Sequence, residues 1–173
     1  MALKPILRFG DPVLRQTSKP VAKFGPKLFK LLDGLREVLY AEEGRAGLAA
    51  PQIGVLQRVI VMDCGDGLIE LINPEILEQS GEQTGAEGCL SLPGYSGIVT
   101  RAKYVKIKTL DRQGRQCLLE GEGLLARCIQ HEIDHLNGIL YIDHIQEGQF
   151  YDDNTQEKAN LSEILAKSRP KAK

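Results

Sequence analysis

His131-Glu132-Ile133-Asp134-His135 places two imidazoles four residues apart, with a carboxylate directly after the first. Histidine is scarce in this chain: there are 3 in all, the third being His144. On an α-helix, at ~100° per residue, His131 and His135 lie about 40° apart on one face, so both rings can reach one metal ion. Glu132 projects beside that face, placed to touch a water on the metal rather than the metal itself. The chemistry offered is metal-assisted hydrolysis in which a glutamate moves a proton.

A hydrolytic centre of this kind takes three protein ligands and keeps a position open. The longer pattern H-E-x-x-H-x-x-G-x-x-H is met through Gly138 but fails at Tyr141. His144 falls three residues too late, and Glu157 and Glu163 sit in a polar C-terminal segment. Two cysteines remain. Cys128 lies on the histidine face, about 20° from His135 by the same helical arithmetic. Cys89 lies in Glu87-Gly-Cys-Leu-Ser-Leu-Pro-Gly94, where a glycine lets a thiol approach a metal and neighbouring N–H groups remain for a substrate oxygen. A free cysteine is most often a packing residue, and spacing alone does not decide between the two. If both joined the histidines, the site would be a closed four-ligand centre, as in a metal-stabilised binding module. A small endopeptidase is a further reading, but it needs a downstream ligand that the sequence does not supply.

The elements that must position these groups are legible in part. The chain has 173 residues, within the usual span of one domain, and its 42% hydrophobic and 26% charged residues are an ordinary globular mixture. From Pro26 to Glu43, leucines and Val38 recur at spacings of three and four, which predicts an amphipathic helix. Arg58–Met62 and Leu68–Ile72 predict strands, the second closed by Asn73-Pro74. Gly81 to Gly97 reads as a long shaped loop. Lys103–Leu110, the turn Asp111–Gly114 and Gln116–Glu120 predict a hairpin. Gly123 to Asn137 predicts the helix that carries the histidines, with Gly138 where a helix often stops. The expected class is α+β: mostly antiparallel strands packed around a central metal-binding helix, with an N-terminal amphipathic helix. Residues 1–150 are expected to form the catalytic domain and 151–173 a polar tail, partly helical or disordered.

The formal charge of −1 gives no basic footprint for DNA. No apolar run approaches the ~18 residues of a membrane span, and the first twenty residues lack the apolar stretch of a signal peptide. These features predict a cytoplasmic protein whose 4 cysteines are reduced thiols.

Gly47-Leu-Ala-Ala-Pro-Gln-Ile-Gly54, Glu87-Gly-Cys-Leu-Ser91 and Gln130-His-Glu-Ile-Asp-His135 resemble, in this order, the three motifs of peptide deformylases. Gly10-Asp-Pro-Val-Leu-Arg15 and Gly123-Leu-Leu-Ala126 are also similar to that family, and the resemblance runs over roughly residues 5 to 145. It implies removal of the formyl group from the N-terminal methionine of nascent chains in a bacterium or its phage, or in an organelle. It implies that Cys89, His131 and His135 hold one divalent metal ion, iron(II) being favoured and zinc or nickel accepted. By the same resemblance Glu132 is the acid and base, and the Gln52 amide and the Leu90 N–H hold the oxyanion. Ala46 and Gly47 would contact the substrate backbone, and Leu124, Arg127 and Cys128 would line the methionine pocket. Glu87 would pair with Arg101 to brace the loop. Contact with the ribosome is implied as well, and the basic end Lys167–Lys173 is compatible with it. Gly94-Tyr95-Ser96 departs from the charged run of many bacterial members, which bears on how residues beyond the methionine are gripped. Arg127 adds a charge at a site often aliphatic, although its stem can still form an apolar wall.

Overall fold

A computed structural model gives the structure of the chain, and it describes residues 3–168. Of the basic C-terminal stretch, residues 169–173 lie outside the described residues. In chain order the elements are α1 (Pro26–Tyr40), β1 (Gly47–Ala49), β2 (Val59–Met62), β3 (Ile69–Ser80), β4 (Gln83–Cys89), β5 (Leu92–Arg101), β6 (Tyr104–Leu110), β7 (Gln116–Glu122), α2 (Gly123–Leu136), β8 (Phe150–Asp152) and α3 (Leu161–Ser168). One sheet has the order β1-β2-β3-β6-β7 and a second the order β4-β5-β8, and all these pairings are antiparallel. The class is α+β, as expected.

Pro26 opens α1 at a position where its missing N–H costs nothing. Leu28, Leu32, Leu35, Val38 and Leu39 then bury one side of the helix against the larger sheet. Side chains alternate across a strand, so β2 serves two cores at once. Val59 and Val61 join Leu48 and Ile72 under α1, whereas Ile60 and Met62 join Ala49 and Leu71 under Ala126, Ile129, Ile133 and Leu136 of α2. The larger sheet is thus sandwiched between the two long helices. That double coverage explains why β2 reads as a continuous apolar run.

Two expectations are corrected. The strand beginning at Ile69 does not close at Asn73-Pro74 but continues to Ser80. Asn73 takes a left-handed φ of 49°, and a register shift between Ile72 and Glu75 leaves Pro74 outside the ladder, where it needs no N–H. The Asn73 side chain pins this bulge by accepting from the Val21 N–H (2.8 Å) and donating to the Val21 carbonyl (3.0 Å). The second correction concerns Gly81 to Gly97, which form not a loop but the β4–β5 hairpin, turned at Leu90-Ser91. Its glycines permit close approach rather than flexibility. A Cβ at Gly97 would run into Ile145, and one at Gly85 would sit 3.4 Å from the Arg127 guanidinium.

Beyond residue 145 the chain packs back. β8 pairs with β5, and Leu161 and Ile164 of α3 are buried with Leu92, Val99, Tyr141 and Phe150. For the site, the main consequence is a division of labour. His131 and His135 ride on α2, against the larger sheet, while Cys89 ends β4 in the smaller one.

Candidate active site

Cys89, His131 and His135 bring their ligand atoms within 4.8 Å of one another, the one such metal-competent group found among the described residues. The Cys89 Sγ lies 3.4 Å from the His135 Nε2. A tetrahedral ion with ordinary sulfur and nitrogen bond lengths would hold such a pair about 3.5 Å apart. Burial alone would push the Cys89 thiol up. The adjacent His135 and the hydrogen bonds from both imidazoles outweigh it and hold the thiol well below its ordinary range. The donor set therefore fits a thiophilic divalent ion: a thiolate and two imidazoles, already gathered. Cys128, the rival on the same helix face, stands outside the triad and lines the cleft beside it. His144 is turned away too, its Nε2 lying 2.9 Å from Asp134.

A buried ionic cluster joins the two halves of the site. The Glu87 carboxylate, on β4, faces His131 Nδ1 at 2.8 Å, which leaves Nε2 for the triad. Arg101 donates to both Glu87 oxygens at 2.9 Å and to Asp134 of α2 at 2.6 Å. Burial would raise the Glu87 carboxyl, but hydrogen bonds from Arg101 and His131 hold it far below the usual carboxylate range. Gln130 adds a neutral tie, donating to the Ala102 carbonyl (2.9 Å) and accepting from its N–H (3.1 Å). The Tyr141 ring stacks on His131 from behind, with centroids 6.1 Å apart. Neither the His131–Glu87 contact nor this stacking has a local sequence signal.

Arg127 does more than the sequence suggests. Arg127 lines the cleft, and its guanidinium donates to Glu87 at 2.6 Å and to the Val99 carbonyl of β5 at 3.1 Å. It therefore bolts α2 to the hairpin that carries Cys89. Arg127→Met should keep the pocket wall and loosen that junction, weakening metal affinity by the ~10–100-fold typical of groups behind a metal ligand. Arg127→Lys should recover part of it. Chelator competition measures this directly, and equal affinity in all three proteins would refute the clamp.

Cys89 and His131 line a cleft of about 390 Å³, and His135 is buried beside them. Ala46, Gly47, Gln52, Glu87, Leu90, Leu124, Cys128 and Glu132 all line it, whereas Arg101 lies behind it. Glu132 is 4% exposed, and its Oε2 has no hydrogen-bond partner among the described residues. Burial raises its carboxyl and prevails over the opposing pull of His131 and His135. Gly47 makes space for it, since a Cβ there would lie 2.7 Å from the Glu132 Oε1. Gln52 is fixed end for end: Oε1 accepts from the Ala49 N–H (3.0 Å), while Nε2 donates to Ser91 Oγ (3.1 Å) and reaches Cys89 Sγ (3.7 Å). Leu124, at 61% exposure, marks the rim. Tyr95 and Asp153 also line the cleft, and no local pattern in the sequence points to Asp153.

A mixed α+β fold with a thiol, two imidazoles and an orphaned buried carboxylate around one cleft defines a metal-dependent hydrolase. Residues 3–150 match the family model of polypeptide deformylases, and the chain belongs to that family. A peptide deformylase of Carboxydothermus hydrogenoformans is 54% identical over 143 residues, covering 83% of this chain and 93% of the relative. One of Thermoanaerobacter pseudethanolicus is 49% identical, covering 95% of this chain and all of the relative. The crystal structure of the Thermotoga maritima peptide deformylase superposes with a TM-score of 0.81 at 46% identity, covering 84% of this chain and 99% of that one. That of the Thermus thermophilus enzyme gives 0.81 at 38% identity, covering 95% and 96%. The family is metal-dependent and removes the N-formyl group from nascent peptides, and this chain is an enzyme of that activity. No helix among the described residues is long and apolar enough to cross a membrane.

Proposed function

We propose that Cys89, His131 and His135 hold one divalent ion, iron(II) in the cell with zinc or nickel accepted, and that Glu132 is the acid and base of formyl hydrolysis. The observation that carries this reading is the Glu132 carboxylate, fully buried beside the donor triad with an oxygen left unpaired. When bound, such an ion acidifies water and polarises a carbonyl oxygen. Glu132 takes the proton of the attacking water and then delivers it to the amine that leaves. Its raised pKa, which follows from burial, suits a group that must hold a proton between those two events.

Gln52 Nε2 and the Leu90 N–H hold the formyl oxygen as charge develops on it. The contact with Ala49 keeps the donor end of the Gln52 amide directed into the site. Ala46 and Gly47 meet the substrate backbone, and Leu124, Cys128 and the Arg127 stem enclose the methionine side chain. Glu87 and Arg101 keep the two halves of the site together. The catalytic unit is residues 1–150, buttressed by the segment that follows. The enzyme works in the cytoplasm, or the equivalent organellar compartment, on chains emerging from the ribosome.

The decisive assay is formate release from a formyl-Met peptide, with an acetyl-Met peptide and a chelator as controls. The chelator should abolish turnover. The acetyl substrate should be at least ~100-fold slower, because the extra methyl on the carbonyl carbon displaces the reacting atoms by about 1 Å in a closely lined site. Comparable rates on both peptides would mean that the formyl pocket is not built as described.

A further inference from the structure

Apart from the His131 ring, the charged residues lining the cleft are Arg45, Glu87, Arg127, Glu132 and Asp153. All but the last are accounted for. Arg45 pairs with Glu42 at 3.1 Å, Arg127 and Glu87 pair with each other at 2.6 Å, and Glu132 is the buried carboxylate beside the triad. Asp153 has no ion-pair partner among the described residues, and its side chain accepts a hydrogen bond from the neutral Ser96 hydroxyl at 2.7 Å. Main-chain pairing sets its place. Ser96 lies opposite Tyr151 and Tyr95 opposite Asp152, and the next step of that ladder brings the Asp153 N–H to the Gly94 carbonyl at 2.9 Å. The Tyr95 ring stacks on Phe150 with centroids 5.2 Å apart, so side chains also hold β8 against β5. The family match ends at residue 150, and this carboxylate is supplied by the segment that follows. Glu132, where the formyl group must react, is buried, and the methionine side chain is assigned to α2. Asp153 is exposed and delivered by the smaller sheet, which leaves it to meet the residues after the methionine.

We propose that Asp153 is a specificity-determining residue of deformylation, whose carboxylate favours nascent chains with lysine or arginine directly after the formyl-methionine, at the second or third position. The inference deepens the proposed function and rests on that reading of the cleft. An uncompensated charge on a binding wall attracts the opposite charge and disfavours its own sign, so acidic residues at the same positions are selected against. The Ser96 hydroxyl holds the carboxylate in place through one oxygen and leaves the other for a cation. Because Asp153 is exposed, an ion pair there costs little desolvation, and its gain is that of a surface pair, about 2–5-fold in affinity. The pair involves no reacting atom and is made equally before and during the reaction, so it acts on KM and leaves kcat nearly unchanged.

The test measures formate release by metal-loaded enzyme from two series of formyl-Met peptides, with lysine, norleucine or glutamate at the second or at the third position. Norleucine keeps the aliphatic stem of lysine without the ammonium. At one position at least, KM should rise from lysine to norleucine to glutamate in steps of about 2–5-fold. The differences should vanish at 1 M salt, where charges are screened beyond ~3 Å. Asp153→Asn still accepts the Ser96 hydrogen bond and should bring the three KM values together, and Asp153→Lys should reverse their order. Equal KM values at both positions in the parent enzyme, or an order that survives in Asp153→Asn, would overturn the proposal while leaving the deformylase site intact. No formate from any of the peptides would overturn the reading of the site itself, and the proposal with it.

Discussion

Cys89→Ser should lose the metal, and nearly all formate release with it, whereas Cys128→Ser should keep a stoichiometric metal. Both residues offer a soft thiol, so the contrast isolates position. The Cys89 sulfur stands 3.4 Å from the His135 Nε2, and its neighbours already hold it well below the ordinary thiol range. A ligand thiolate therefore forms at neutral pH at little cost. A serine hydroxyl in the same place stays protonated and is a poor donor to a soft ion. Losing a ligand outright should exceed the ~10–100-fold affinity loss typical of the groups behind ligands. Cys128 stands outside the donor triad, so its substitution removes no donor. Metal analysis after dialysis decides the matter, with circular dichroism confirming that both variants are folded. Stoichiometric metal in Cys89→Ser would exclude Cys89 as the third ligand.

The contrast between the two cysteines also shows where sequence reasoning stops. Helical periodicity places His131, His135 and Cys128 on one face, because all three belong to α2 and the spacing is local. Cys89 arrives from a different sheet, 42 positions earlier in the chain than His131, and no periodicity reports such a meeting. Residue type makes Cys89 a candidate, but only the resemblance to deformylase motifs selects it over Cys128. The two long helices were legible because each buries one apolar stripe. The β4–β5 hairpin was not, because its glycines carry the usual signature of a loop. Their reason is tertiary: Gly97 makes way for Ile145, and Gly85 for Arg127. Arg127 shows the same limit from the other side. Its charge looked out of place in an apolar wall until the fold brought Glu87 and the Val99 carbonyl to its guanidinium. Asn73-Pro74 is a strong turn signal that a bulge and two bonds to Val21 convert into continuing strand.

Glu132→Gln should retain the metal and lose turnover, by at least the ~10²–10⁴-fold typical of a group that transfers protons in the transition state. Glutamine keeps the size and much of the hydrogen-bonding shape but cannot accept the proton of the attacking water. Glu132 flanks the triad without belonging to it, so the donor set should be untouched. A group that merely packed the helix would have no need of an unpaired oxygen at 4% exposure; orphaning a buried carboxylate costs stability unless substrate or water completes it. Gly47→Ala tests the same carboxylate from outside. Its Cβ would come within 2.7 Å of Oε1, so Glu132 must shift, and turnover should fall with the chemical identity of the glutamate preserved. The measurement for both is turnover of a formyl-Met peptide per bound metal. If Glu132→Gln stays within a few-fold of the parent, proton transfer belongs to another group. If Glu132→Gln is inactive while Gly47→Ala is normal, the carboxylate is required but tolerates displacement, and the close fit at Gly47 would then have a different cause.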